Sequence, residues 1–193
     1  MDSSQARDHL ESVATILRTA DRSLNVQPWI FVIWGLFGAT VNALQQARQS
    51  GVAVAGDSTI QLPLLLAAIA ATVVVSLRSA GRETLIDRHA GVVFSVVFGV
   101  LLIANFSAQH RVVPYEGMAL FWSFGLAMAL LIVGIEASRP LVLGGIALVA
   151  ASVAACLVPE WFSGLLAAGW LAGLVAPGLA LARRRFDGRA AAQ

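Results

Sequence analysis

Six stretches of this chain run for about twenty residues each with almost no charge. That limits the fold more than any motif does. The stretches cover 29–46, 60–77, 89–108, 117–136, 141–158 and 163–182. A helix needs about 20 predominantly apolar residues to cross about 30 Å of hydrocarbon. Away from water every backbone N–H and C=O must find its partner inside the protein, which leaves helices or closed barrels. Barrel strands are segments of about 10 alternating residues, whereas these blocks are continuous. The chain therefore reads as all-α, a polytopic membrane helix bundle with six transmembrane helices. An amphipathic cytoplasmic helix is expected over 1–27, the bundle over 28–183, and a basic cytoplasmic tail over 184–193.

Composition points the same way. Hydrophobic residues make up 58% of the chain and charged residues 12%, against roughly 25% charged in soluble domains. The small net charge of +2 comes with no basic stripe interleaved with aromatics. The expected partner is therefore a lipid bilayer and not nucleic acid. The single cysteine, Cys156, lies inside the fifth block, with no second cysteine to pair with and no metal-ligand neighbours. A cleavable signal peptide is not expected at the start. Asp2, Arg7, Asp8, Glu11, Arg18, Asp21 and Arg22 put seven charges where a short apolar run would be needed.

All 13 basic residues are arginines, and their placement gives an orientation. Arg7, Arg18, Arg22, Arg78, Arg82, Arg88, Arg139, Arg183, Arg184, Arg185 and Arg189 fall on one side of a six-span layout. Only Arg48 and Arg111 fall on the other. Loop arginines near helix ends mark the cytoplasmic side. Both termini are therefore expected in the cytoplasm, with the chain in an inner (plasma) membrane.

Before the first span, Leu10, Val13, Leu17, Ala20 and Leu24 recur at steps of three and four, the spacing of one helical face. Three arginines against four acids make this a weak anchor for anionic lipid. Residues 1–25 read either as a docking surface for a protein partner or second copy, or as a helix folded back on its own bundle. Pro28 suits a first helical turn. Trp29 fits the headgroup belt, and Trp34, deeper, is expected to face a neighbouring helix. Asn42, Gln45 and Gln46 make the far end of the first span polar, so that helix is expected to be short or to end in a wet pocket.

Close helix contact in lipid comes from small residues, because lipid tails are as apolar as leucine. The fifth span carries Gly144, Ala147, Ala151 and Ala154 on one stripe, and the sixth carries Gly169 and Gly173. These two spans are expected to pack on each other, with a homo-oligomer through the Gly169 face as the alternative. Pro177 in the sixth span predicts a kink.

Chemistry is hard to place. No ionisable residue lies at mid-depth in any span, which argues against a proton relay or voltage sensor. Uncharged polar residues in the spans are Thr40, Asn42, Gln61, Ser76, Ser95, Asn105, Ser107, Ser123 and Ser152. Asn42, Gln61 and Asn105 share the outer ends of the first three spans, so they are the candidates for a shallow polar pocket. Interhelical hydrogen bonding is the plainer reading of the same residues. His89 and His110 stand about 31 Å apart along one helix, too far to share a haem. His110, Glu116 and Glu160 are weak candidates for a metal site on the outer face, and no metal or other cofactor is expected. There is no H-E-x-x-H, G-x-S-x-G or phosphate-binding G-x-x-x-x-G-K-[ST], so no catalytic residue is assigned.

The stretches "FWSFGLAMAL" over 121–130 and "GWLAGLVAPG" over 169–178 complete the layout. An amphipathic start leads into the first span, and short loops join the last three Gly- and Ala-rich spans. This layout resembles small uncharacterised six-helix bacterial inner-membrane proteins. The resemblance implies a helical bundle and assigns no activity to particular residues. "WGLFGA" in the first span and "WSFGLA" in the fourth are faintly alike, as a three-plus-three transporter repeat would be. Two expectations follow. The first is a non-enzymatic interaction, sensing or accessory subunit, acting through the N-terminal helix or the bundle surface. The alternative is a transporter of small solutes or lipid-like molecules with a polar pocket near the outer ends of spans one to three.

Overall fold

Residues 27–53, 57–79, 85–108 and 114–190 are described by the computed structural model. They are helical apart from short connections, and no strand occurs among them. Helix α1 spans Pro28–Gln49, α2 Asp57–Ser79, α3 Leu85–Ala108, α4 Tyr115–Ala137 and α5 Arg139–Leu157. The sixth span is composite. A 3-10 turn, Pro159–Trp161, leads into α6 over Phe162–Trp170, a π-helical segment over Leu171–Val175, and α7 over Ala176–Ala190. Five helices are long and apolar enough to cross a membrane, and α3 adds a shorter apolar stretch, His89–Ala104. The amphipathic segment expected over 1–27 lies outside the described residues, save Gln27.

Local chemistry sets the helix ends. Pro28 opens α1, where its missing N–H is one the helix would leave unpaired in any case. The far end of α1 is not short: the helix continues three residues beyond Gln46. It closes where Gly51 takes a φ of 82°. There the Gly51 N–H donates to the Arg48 carbonyl and the Val52 N–H to the Ala47 carbonyl. These two bonds are the pair a Schellman closure requires. Between α4 and α5 only Ser138 is non-helical, with extended backbone. So tight a reversal forces close approach. A Cβ on Gly134 would lie 2.6 Å from the Val142 nitrogen.

The sixth span lies between α1 and α5, antiparallel to both. Against α1, Gly178 meets Pro28 and Val32, Gly35 meets Leu174 and Val175, and Gly38 meets the ring of Trp170. Against α5, Gly173 meets Leu148 and Gly144, and Gly169 meets Ala151. On its other side α5 packs against α4, where Gly145 sits on Leu131 and Ala127. A Cβ at most of these glycines would fall within 3 Å of a neighbour, so the backbones touch where side chains would otherwise hold them apart. Pro177 does not act alone on the sixth span. The π segment precedes it, and the Ala176 N–H reaches five residues back to the Leu171 carbonyl. Widening the turn relieves the clash a proline ring makes with the carbonyl four residues earlier.

Helix α3 packs on α4, burying Leu101 in the notch left by Gly125. It meets α1 through aromatic rings. Phe31 and Phe94 lie edge to face at 5.3 Å and Trp34 and Phe98 at 4.5 Å, and Phe98 also meets Trp122 of α4 at 5.5 Å. The core of Phe31, Leu101, Leu126, Leu130, Leu148 and Trp170 is thus filled with side chains. By contrast α2 packs chiefly on α1, and among its described side chains only Ala68 is buried. Only 6% of its apolar window is buried, against 33–44% for α1, α4, α5 and the sixth span.

Candidate functional site: a polar knot at one end of the bundle

Four residues of α1 share one stripe at steps of three and four: Gly35, Gly38, Asn42 and Gln46. The first two are notches for the sixth span. The other two are polar and meet the ends of α4 and α6. Asn42 is 5% exposed. Its amide nitrogen donates to the Gly38 carbonyl at 2.8 Å, one turn back on α1. That bond turns the amide oxygen outward, where it accepts from the Tyr115 hydroxyl at 3.2 Å. Every polar atom of a buried amide needs such a partner, because an unpaired one costs about 1–3 kcal/mol.

Gln46 works across a longer gap in sequence. Its amide oxygen accepts from the Gly164 backbone N–H at 2.8 Å, and its amide nitrogen donates to the Glu160 carbonyl at 3.0 Å. The first N–H groups of any helix lack partners within it. The residue before α6, Trp161, makes no side-chain cap, so α1 caps α6 instead. Ser163, fully buried in the first turn of α6, stands beside the Tyr115 hydroxyl. Deeper in the bundle the Trp170 indole N–H donates to Ser123 Oγ at 3.1 Å, and Ser123 back-bonds to the Ala119 carbonyl at 2.9 Å. Together these bonds tie α1, α4 and α6 at one end of the bundle and near its middle.

Of the pocket candidates read from sequence, Asn42 is inside this knot. Gln61 is half-buried in the second turn of α2. Asn105 lies near the end of α3 by its backbone, and its side chain is outside what is described, as is all of His110. Glu116 and Glu160 are exposed. Glu116 occupies the first turn of α4, where a carboxylate favours the positive end of the helix. Among the described residues no three His, Cys, Asp or Glu side chains are grouped to hold a metal ion. The packing candidates Gly144, Ala151, Gly169, Gly173 and Pro177 meet at the contact between α5 and the sixth span, and Ala147 is half-buried on α5. Tyr115 and Ser163 were not singled out as members of a pocket. The available signal was the four-residue spacing Gly38–Asn42–Gln46, which puts both amides on the stripe that the glycine opens.

The knot consists of amides and hydroxyls. It can orient and hold helices, and it pairs no nucleophile with a base. Comparison of the chain with protein-family models, with curated proteins and with solved structures finds no match. The fold itself defines a class: a helical bundle with several helices long and apolar enough to cross a membrane, which suggests a lipid environment.

Proposed function

We propose that the protein is a non-enzymatic membrane subunit that works by holding a partner against the surface of its bundle. The observation that carries this reading is the bareness of α2. In lipid an apolar surface gives a helix no reason to associate, so packing contacts must hold it. Helix α2 has such contacts chiefly with α1, and it keeps Leu62, Leu66, Ile69, Val73, Val74 and Leu77 exposed. Helices α1 and α5 and the sixth span, in contrast, are joined by glycine notches. In this reading a partner's transmembrane helix packs on this face in place of lipid. The polar groups that would line an outward pocket are in part engaged inside the protein, Asn42 with Gly38 and Tyr115. In this reading the knot faces the outside of an inner membrane, and both termini lie in the cytoplasm.

The test is co-purification in lipid nanodiscs of the unmodified chain, a chain lacking residues 1–24, and the double variant Leu66→Trp, Val73→Trp. The α2 variant is expected to lose the partner while its thermal midpoint stays within a few degrees of the parent, as surface changes usually leave it. If partner capture ignores α2 and needs residues 1–24, the N-terminal segment is the docking element and the α2 reading fails. If Asn42→Leu abolishes solute flux in proteoliposomes, the protein is a transporter.

A further inference from the structure

The sixth span differs in kind along its length. Its first half, α6, is locked by directional bonds: Gln46 holds Gly164 and the Glu160 carbonyl, and Trp170 is seated on Gly38 and bonded to Ser123. Over residues 176–182 the second half offers none. From Ala176 to Ala182 the side chains are those of Ala, Pro, Gly and Leu, which have nothing to donate or accept. Between the halves stand the π segment Leu171–Val175 and Pro177. The contacts that cross this joint are made by glycines, Gly35 from α1 and Gly144 from α5, with Gly173 and Gly178 on the span itself. Side chains fill these notches, Leu174 and Val175 against Gly35, Pro177 against Gly144, Leu148 against Gly173 and Val32 against Gly178, so a turn of α7 slides them over glycine and not past another side chain.

We propose that the sixth span is a two-part lever. The half locked to the polar knot stays fixed, and α7 turns about the π–proline joint. The Arg183-bearing end thereby moves without breaking the bonds at the opposite end. Proline, glycine and a π turn are each known sources of helix bending, and here the three coincide within eight residues, 171–178. The proposal is independent of what the protein binds, since it concerns only how its two ends are mechanically connected.

Hydrogen exchange on the full chain in lipid nanodiscs tests it. In the unmodified protein the amides of 171–178 should exchange about tenfold faster than those of 164–169, as a locally opening segment does beside a stable one. Pro177→Ala returns an N–H to the ladder and should slow exchange over 171–178 by about 3- to 10-fold, the effect of one net hydrogen bond. Should that variant fail to fold, spin labels on a Cys156→Ser background decide the matter. The pair Val153→Cys with Ala168→Cys reports the fixed half, and Leu143→Cys with Leu179→Cys reports the turning half. A narrow distribution for the first pair and a broad or double one for the second supports the lever. Equal exchange on both sides of Trp170, or equal widths for the two pairs, overturns it.

Discussion

Asn42 shows how much a single side chain can decide in a membrane interior. Its two amide atoms have opposite hydrogen-bonding character, and each has found its match: a carbonyl for the nitrogen, a phenol for the oxygen. Removing either partner should weaken the junction of α1 with α4 by about 0.6–2 kcal/mol, the range for polar contacts between membrane helices. Asn42→Leu and Tyr115→Phe should each lower the unfolding free energy by that order. The double variant should lose less than the sum, because the same bond is removed twice. Additive losses, measured by reversible unfolding in mixed micelles, would show that the two residues do not act as a pair. Trp170 is the apolar counterpart, a large ring seated where Gly38 has no side chain.

Among the elements, glycines sort helix faces into those in use and those that are not. Gly144 faces the Gly173 carbonyl and the Pro177 ring, so any side chain there must push the sixth span away. Gly91 on α3 has nothing within 4 Å of where a Cβ would stand. Gly144→Val should therefore destabilise the bundle by about 1–3 kcal/mol or more, the usual cost of overpacking. Gly91→Val should stay within about 0.5 kcal/mol of the parent, as expected for a surface change. Thermal midpoints of the two variants in the same detergent check this, and a reversed ranking would reject the packing of α5 on the sixth span. The stripe of Gly144, Ala151, Gly169 and Gly173 was readable in the sequence as a meeting surface. Its partner stripe on α1, Gly35 and Gly38, was not. Those two glycines became meaningful only when Trp170 and Val175 were seen to fill the space beside them.

For the molecule as a whole, the starts of α1 and α7 lie at one end, with Gly178 against Pro28. The polar knot lies at the other. In the proposed orientation, which rests on the arginine count, the first end faces the cytoplasm. On a Cys156→Ser background, Ser50→Cys should react with a membrane-impermeant maleimide on intact cells. Arg183→Cys should react only after permeabilisation. The opposite pattern would invert the orientation and place the knot inside.

The sequence by itself determined the helical secondary structure of the described residues and where their apolar runs lie, and it pointed to lipid, because apolar runs of this length satisfy their backbone hydrogen bonds as helices. It could not determine which way each helix faces. In water a helix announces its buried side by contrast with a polar one, but in lipid both sides are apolar, and the contrast vanishes. Tertiary structure alone decided that Asn42 turns toward Tyr115, and that Gln46, which reads in sequence as a fraying helix end, caps α6 from 114 to 118 residues away. It also decided that the strain of Pro177 is taken up by a π turn before the proline, in place of a simple bend at it. Each of these outcomes depends on where a neighbouring backbone comes to rest, and close packing of small residues sets that position.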